Sequence, residues 1–410
     1  MDVFRFVDEP GFLAERRLDA LKAALEMPLP DRAMHRFRFT DPMALLPSGG
    51  VSAALAAQAG RWDVVPDLPP GAVEAGVMVL TFPEAFVRLQ NLLAEYLGRL
   101  AAPDDALLAL NLASFRGGAV VLVPAGVRVP GPITLRVQPE APEGAVACGR
   151  TLVIVQEGAQ ATILEETDLE AGLASSITEV VVCQGASLVH GRFESSARGA
   201  ALFSRVAYSV GRDATLTHAH VLVPAGLIKA EAAPVLAGSG ARTEGLVLAM
   251  AGGRARADFR AVEDHAVQDT ESRVTYRSVA LGRGRTAFTG LLRIREGASR
   301  SVAYEEARSL LLSGTAAADV LPELEIQNHD VRCTHGAAVA PIDEESVFYL
   351  RSRGLSQDEA EATLVEGFVE AVASRLPTES LAERARETLR AQLVAAKGHP
   401  AVAAAGPVGV

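Results

Sequence analysis

The sequence contains few cysteines and no long apolar run. Its three cysteines stand far apart in 410 residues and are odd in number, so a framework of disulfides is not expected. No apolar run reaches the roughly 18 residues of a membrane-spanning helix. The start, MDVFRFVDEPGF, is acidic where a secretory signal peptide is first basic and then apolar. These absences predict a protein of the reducing cytoplasm that makes no membrane contact.

Lysine is also scarce, and this scarcity excludes one large class of nucleotide-binding protein. The lysines are Lys22, Lys229 and Lys397, and none follows a glycine as the G-x-x-x-x-G-K-[ST] phosphate loop requires. The chain is therefore not a Walker-type ATPase. Fifty acidic residues against 39 basic ones give a net charge of -11, which argues against nucleic acid or an anionic membrane as a partner.

The hydrophobic pattern divides the chain into zones. Hydrophobic residues make up 49% of the chain and charged residues 22%, proportions typical of a folded protein rather than a disordered one. Residues 1–103 space their apolar residues three and four apart, which predicts a helical region. Residues 104–340 contain short β-like runs between turns, and residues 341–398 return to a helical pattern with a capping box at Ser356. A flexible tail is predicted for residues 399–410.

A repeat with a nearly constant period runs through the β-like zone. The segments EGAQATI, QGASLVH, RDATLTH and SGARTEG place their turn alanines 27, 28 and 27 residues apart. Short strands and small turn residues at such a period are typical of a solenoid, in which each coil buries an apolar face against the next. A β-sandwich is the alternative, since sandwiches also turn about every 8 to 12 residues. The turn alanines are Ala159, Ala186, Ala214 and Ala241.

Several residues in the β-like zone could carry chemistry, and each also has an ordinary structural explanation. Cys183 stands in the apolar run EVVVCQ and Cys148 in a predicted loop, and neither is expected to be reactive. His218 and His220 share one face of a strand and could bind a metal, but a solvent-facing polar ladder is the favoured interpretation. His265 has three acidic neighbours, and a solvated loop is favoured there over an acid-base or metal site.

Cys333 and His335 form the strongest candidate site. The run LEIQNHDVRCTHG indicates a strand, and because successive side chains of a strand alternate in direction, these two residues point the same way. A thiolate and an imidazole suit zinc, copper or iron-sulfur ligation, but two ligands are at most half of a tetrahedral site. The alternative is a strand end with a buried thiol and a capping or surface histidine. A metal site here needs ligands from elsewhere.

The residues around this pair resemble a known family. The run ELEIQNHDVRCTHGAAVAPIDEESVFYLRSRGL resembles the C-terminal signature of the SufB/SufD family, which is an LEI strand, then D-V-x-C-x-H-G-A and D-E-x-x-x-F-Y-L-x-S-R-G. The resemblance implies a mainly β fold, with a right-handed parallel β-helix (solenoid) core flanked by N-terminal and C-terminal α-helical regions. Three further segments are similar to the family's N-terminal region, its entry into the β-core and its R-N-L-L-L-S segment: PDRAMHRFRFTDP, LALNLASFRGGAVVLVPAGVRVPGPITL and ARSLLLSG.

The same resemblance implies a function in iron-sulfur cluster assembly by the SUF system. In this family SufB and SufD pair, and each binds one copy of the ABC-type ATPase SufC, so the chain is expected to be a scaffold subunit without turnover of its own. The segment from Cys333 to Gly336, C-T-H-G, is more similar to SufD than to the C-E-H-E segment of SufB. The resemblance implies that His335, with Cys333 beside it, contributes to a transient iron-sulfur cluster at the interface with SufB.

The C-terminal helical zone is expected to dock the ATPase, because the resembling family places its SufC contact there. The candidate partner-binding residues are Phe348, Tyr349, Arg351, Arg353 and Phe368. Three other interpretations are left open. One is a β-solenoid enzyme that acts on acidic glycans through His265 and its neighbouring carboxylates. The others are a SufB-like homodimeric scaffold and a structural solenoid with a zinc-stapled C-terminus.

Overall fold

The computed structural model describes residues 6–31, 35–57 and 60–397. Strands take up 44% of the residues and helices 25%, and the strands form a β-solenoid of about 8 turns with helices at both ends. The mainly β, solenoid-centred fold predicted from the sequence is therefore confirmed. None of the helices in the described ranges is long and apolar enough to cross a membrane. The tail predicted at residues 399–410 lies outside the described residues.

Short helices and two short strands precede the solenoid. Helix α5, with the sequence ALLALNLAS, is buried along its whole length, because nearly all of its side chains are apolar. The Asp105 carboxylate caps it by accepting a hydrogen bond from the Leu108 backbone N–H at 2.8 Å. The elements are α1 (Gly11–Glu26), two 3-10 turns (His35–Phe37 and Pro42–Leu45), α2 (Gly50–Ala56), β1 (Arg61–Asp67), β2 (Met78–Leu80), α3 (Phe82–Arg88), α4 (Gln90–Tyr96) and α5 (Ala106–Ser114).

Strands β3 to β18 form the solenoid and alternate between two parallel sheets. The even-numbered strands form the first sheet, with β1 antiparallel beside β4, and the odd-numbered strands form the second, with β2 antiparallel beside β3. The strands are β3 (Gly117–Val123), β4 (Arg128–Glu140), β5 (Val146–Val155), β6 (Gln160–Leu169), β7 (Leu173–Val182), β8 (Ser187–Ser196), β9 (Ala201–Val210), β10 (Thr215–Pro224), β11 (Leu227–Leu236), β12 (Arg242–Ala251), β13 (Arg256–His265), β14 (Glu271–Ala280), β15 (Arg285–Ile294), β16 (Val302–Leu311), β17 (Ala317–Ile326) and β18 (Arg332–Pro341).

The four turn alanines of the sequence repeat lie at equivalent corners of successive coils. Each stands directly before a strand of the first sheet, β6, β8, β10 or β12, and each is at most 1% exposed. The residues that follow these alanines pair in register from coil to coil. The predicted solenoid is thus confirmed, and the β-sandwich alternative is wrong, because successive coils pair in parallel along one axis.

The first end of the solenoid is covered by β1. Trp62 of this strand is 6% exposed and lies in the apolar interior with residues of β3 and β5. Gly149 borders its indole, and a Cβ at Gly149 would overlap the ring, whereas Gly117 borders the Trp62 backbone. Gly149 leaves the space that the ring fills, so the interior is densely packed at this end.

Buried ion pairs hold the N-terminal region on the second sheet. Glu231 of β11 is 1% exposed, and its carboxylate lies 3.1 Å from Arg36, 3.4 Å from Arg205 and 3.5 Å from Arg260. Burial alone would raise the pKa of Glu231, but the guanidinium charges, that of Arg205 first, bring it well below its usual range. Removing one partner of such a buried group typically destabilises a protein by about 3–5 kcal/mol.

The C-terminal helices pack across the outer face of the first sheet. Helix α7 begins at the predicted capping box, where the Ser356 hydroxyl accepts a hydrogen bond from the Glu359 backbone N–H at 3.2 Å. Apolar residues of α7 and α8 form one cluster with outward-facing residues of β8, β10, β12 and β14. The Arg384 guanidinium lies 3.8 Å from the Phe193 ring centroid and 2.8 Å from the Asp168 carboxylate. The helices are α6 (Glu344–Ser352), α7 (Gln357–Ala373) and α8 (Glu379–Lys397).

Replacing Gly149 by Ala should destabilise the protein. The added methyl group would overlap the Trp62 indole, and overpacking of this kind typically costs about 1–3 kcal/mol. Gly297→Ala is the matched control, since a Cβ there would meet nothing closer than 3.8 Å. Chemical denaturation gives the free energies of unfolding. Equal free energies of unfolding for the two variants would show that the packing of the Trp62 ring does not require the space left by Gly149.

Candidate functional site

The candidate Cys-His pair lies on the last coil of the solenoid. Among the described strands, β18 ends the first sheet and pairs only with β16, and β17 ends the second sheet. Every residue of β18 except Cys333 is exposed, whereas the strands of earlier coils are mostly buried. The last coil therefore presents an unpaired backbone edge to its surroundings.

Strand register places Cys333 and His335 over the interior of the solenoid. Cys333 pairs with Ala303 of β16, and His335 pairs with Glu305. Ala303 and Glu305 are each 1% exposed, whereas Tyr304 between them is partly exposed. Because side chains alternate along a strand and stack between paired strands, Cys333 and His335 continue the inward-facing columns of β16. The two residues share one strand face.

The two candidate ligands differ in environment. Cys333 is half-buried against an apolar cluster that includes Leu292, Ile294 and Ala303. Burial raises the pKa of its thiol above the ordinary value, and a backbone hydrogen bond at Ala303 opposes this shift. His335 is exposed, so its imidazole is open to a group arriving from outside. A metal that binds the pair must therefore displace the thiol proton.

Glu305 lies one coil below His335 and is enclosed. Its side chain is 1% exposed, and neither carboxylate oxygen has a hydrogen-bond partner within the described part of the chain. Gly290 on the facing sheet leaves room for it, since a Cβ there would overlap the carboxylate. Burial, with the nearby charges of Glu263 and Glu323, raises the pKa of Glu305 to about 8. No sequence pattern singles out this residue, because only the strand register shows which glutamate of AYEEARS points inward.

Further polar residues fill the interior deeper in the solenoid. The two ring nitrogens of His190 lie 2.9 Å from Glu165 Oε1 and 2.9 Å from the Tyr208 hydroxyl. One coil further on, His218 Nε2 lies 3.1 Å from Glu263 Oε1. Both histidine-carboxylate pairs are buried. Each imidazole lies within hydrogen-bond distance of its carboxylate inside the solenoid, His218 Nδ1 has no partner among the described residues, and both pairs are closed to large ligands from outside.

Two interpretations of histidines made from the sequence are wrong. His218 and His220 do not face solvent but are at most 1% exposed, because their side of β10 points into the solenoid. His265 does not lie in a solvated loop but ends β13 in the interior, 2.7 Å from the Thr270 hydroxyl and 2.8 Å from that of Ser272. A buried imidazole bonded to two hydroxyls cannot reach a polysaccharide. This position therefore does not support the glycan-enzyme alternative.

The other two cysteines have environments that suppress reactivity. Cys148 lies in β5 rather than in a loop, is 3% exposed, and burial raises the pKa of its thiol to about 11. Cys183 is half-buried beside the N-terminal apolar cluster, and burial raises the pKa of its thiol as well. Both thiols stay protonated near neutral pH, and a protonated thiol is a poor nucleophile and ligand.

Four of the five candidate partner-binding residues lie on or directly after α6. Phe348 is 73% exposed and Tyr349 is 55% exposed. Arg351 is exposed on the same helix, and the Arg353 guanidinium lies 5.2 Å from the Tyr349 ring centroid. Phe368 lies apart on α7, half-buried against the sheet. Helix α6 thus presents two exposed aromatic rings flanked by cations, whereas Phe368 takes part in packing.

The Cys-His pair does not form a metal site by itself. Over residues 6–31, 35–57 and 60–397, no three His, Cys, Asp or Glu side chains lie close enough together to hold one ion. Cys333 and His335 are two side chains of ligand type, whereas zinc or an iron-sulfur cluster usually takes four ligands. The pair stands at an edge that is open to a second chain.

Fold and site together define a class of protein: a β-solenoid whose open last coil carries a cysteine and a histidine on one strand face. The chain belongs to the SufBD family. Residues 138–368, more than half of its length, match the family model described as SUF system FeS cluster assembly, SufBD core domain. The match runs from β4 into α7 and includes the strand with the Cys-His pair.

Individual relatives agree with the family match. The chain is 27% identical over 316 residues to the iron-sulfur cluster assembly protein SufB of Bacillus subtilis, an alignment that covers 76% of this chain and 68% of the relative. It is 28% identical over 305 residues to a SufBD family protein of Mycobacterium tuberculosis, covering 72% and 76%. It is 24% identical over 424 residues to a SufBD family protein of Staphylococcus haemolyticus, covering 94% and 90%. The family resemblance seen in the sequence is confirmed.

Replacing Glu305 by Gln should change how stability depends on pH. Because burial raises the pKa of Glu305 to about 8, the folded chain keeps a proton that the unfolded chain releases near its ordinary pKa of about 4.3. The wild-type free energy of unfolding should therefore fall, relative to that of Glu305→Gln, as the pH rises from about 4.3 to about 8. The full difference is at most about 5 kcal/mol. Urea denaturation across this range measures it, and parallel pH profiles would contradict the buried state of this carboxyl.

Proposed function

We propose that this protein is a SufD-like, non-catalytic subunit of a SUF iron-sulfur cluster assembly scaffold in the cytoplasm. The observation that carries the proposal is the placement of Cys333 and His335 on the open last coil, on the face that continues the solenoid interior. The C-T-H-G segment resembles SufD more than SufB, and the relatives are named as iron-sulfur cluster assembly proteins. The cluster is cargo here, and no cofactor is bound stably by this chain alone.

Ligand count supports a site shared between two chains. Iron-sulfur clusters usually take four protein ligands, mainly thiolates, whereas β18 offers one thiol and one imidazole. A SufB-like chain against the open coil supplies the others. His335 is the principal ligand from this side, because it is exposed, and Cys333 is auxiliary, because it is half-buried with a raised thiol pKa.

The last coil is suited to pair with a second solenoid. An unpaired strand edge readily hydrogen-bonds another strand, and β17 and β18 each end a sheet. Leu324, Ile326 and Val339 on these strands are 39%, 44% and 43% exposed, so a partner there would also bury apolar surface. Two copies of this chain would bring together two Cys-His pairs, so a SufB-like homodimer is the alternative occupant.

A SufC-like ABC ATPase is proposed to dock on α6. Phe348 and Tyr349 are large exposed aromatic residues of the kind that dominates protein interfaces. Beside them, a groove of about 410 Å³ between α6 and α7 is lined by Tyr349, Leu350 and Leu364, among others. The ATPase provides the nucleotide hydrolysis for which this chain has no phosphate loop. Nucleic acid and membrane are not partners in this proposal.

Replacing His335 by Ala should leave the complex assembled but lower the iron and sulfide recovered with it. The side chain is exposed, so its removal opens no cavity, while the site loses a ligand. Cys333→Ala should have an equal or smaller effect. Iron and sulfide analysis of purified complexes gives the comparison, and Thr334→Ala, an exposed neighbour on the opposite strand face, is the control. The ligand role would be contradicted if His335→Ala complexes kept their full iron and sulfide content and the variant fully rescued an assembly-deficient strain. Cys333 and His335 would then only pack at a subunit contact.

Replacing Phe348 and Tyr349 together by Ser should abolish retention of the ATPase without unfolding the chain. Both side chains are more than half exposed, so the folded chain loses little packing, whereas truncation of an interface aromatic typically costs about 2 kcal/mol or more in binding. Val87→Ser is the control, because this residue on α3 is 86% exposed and lies in the N-terminal region. Co-purification with a tagged ATPase measures retention, and equal recovery for all three proteins would place the contact elsewhere.

A further inference from the structure

We propose that Glu305 is a positioning residue for His335. When a partner covers the last coil, a carboxyl oxygen of Glu305 accepts a hydrogen bond from one imidazole N–H, so that the other ring nitrogen faces the cargo iron. This inference rests on the proposed function of His335 and adds a residue from the coil below to that site.

The surroundings of Glu305 leave it one polar neighbour in its column. Val274 of β14 lies below it in register and His335 of β18 lies above it. Ala303 and Ala307 occupy the neighbouring inward positions of its own strand. Of these four positions, only His335 has a side chain that can donate a hydrogen bond.

The enclosure of Glu305 calls for a functional reason. Both carboxylate oxygens are buried without a partner in the described chain, and leaving a buried polar group unpaired costs about 1–3 kcal/mol. An apolar residue of similar size would avoid this cost. Instead, Gly290 across the interior keeps open the space that the carboxylate occupies. The fold therefore maintains a recess for the Glu305 side chain, although a methionine at this position would pack equally well.

The distance between neighbouring strands suits the proposed contact. Paired strands lie about 4.8 Å apart, so an imidazole turned towards the interior from His335 reaches the carboxylate of Glu305, its register partner. In the uncovered coil His335 is exposed and water competes for its ring nitrogens. A covering partner removes that water and strengthens the hydrogen bond.

The chemistry of metal-bound histidine explains what this contact would do. A carboxyl or carbonyl oxygen that accepts the second ring N–H of a metal-binding histidine orients the ring and selects its tautomer. Glu263 and Glu323 add negative charge near Glu305. The inner side of the site therefore attracts a divalent cation rather than an anion.

The test is a cobalt titration of the complex formed by the full chain and its SufB-like partner, with Co²⁺ as a spectroscopic substitute for Fe²⁺. Glu305→Met keeps the length of the side chain and removes the acceptor, and it should weaken Co²⁺ binding roughly 10- to 100-fold. Glu305→Gln keeps an acceptor oxygen and should lose less. Glu306→Met is the matched control, since Glu306 lies on the other face of β16 and is partly exposed; it should leave the affinity unchanged.

A double-mutant cycle with His335→Ala separates positioning from the alternatives. If Glu305 acts through His335, adding Glu305→Met to His335→Ala should cause no further loss of Co²⁺ affinity, and the thermal midpoint of Glu305→Met should be unchanged or higher. A further loss in the double variant, or a lower midpoint in the single one, would overturn the inference. The inference would also be overturned if Glu305→Met left the Co²⁺ affinity unchanged while His335→Ala weakened it. In that case the proposed function would still stand. If His335→Ala itself has no effect on Co²⁺ binding, the proposed function fails.

Discussion

Hydrogen bonding between stacked coils is the interaction on which the rest of this structure depends. Each strand of the solenoid satisfies its backbone groups through the coils before and after it, so the stack is complete everywhere except at its two ends. The first end is closed by β1, β2 and the Trp62 ring. At the last end, within the described chain, β17 and β18 have no such cover. Cys333 and His335 are accessible because the interior columns reach the surface only where the stacking stops.

Much of the fold could be predicted from the sequence, because four coils place a small buried alanine at the same corner. The period is lost after Ala241. Register partners Arg242 and Glu271 lie 29 residues apart, and Glu271 and Val302 lie 31 apart. The strands keep their length of ten residues, so the extra residues lie in the turns. Turns face solvent and tolerate insertions, which explains why the later coils carry no visible repeat although they stack in the same way.

The site was only partly predictable, because alternation along a strand shows which side chains share a face but not which face is inside. On β10 the outward residues Ala219 and Val221 are buried under α7 and α8, so both faces of this strand are buried and the inward direction of His218 has no signature in the sequence. Cys333 and His335 were found through their ligand chemistry and the motif around them. Glu305 was missed because its position beneath His335 depends on strand pairing with a residue 30 positions further along the chain.

The C-terminal helices on the first sheet link some coils of the solenoid more strongly than others. Coils of a solenoid contact only their neighbours, so a stack can fray coil by coil from an end. Arg384 of α8 contacts Asp168 on β6 and Phe193 on β8, and Arg375, between α7 and α8, contacts Glu244 on β12. Separating one of these coils from the stack therefore also breaks contacts with the helical region. The coil of β17 and β18 lies past these contacts and ends both sheets, so we expect its backbone amides to exchange with water more readily than those of the linked coils. Under the proposed function this is the coil that a partner covers, and we expect association to slow that exchange.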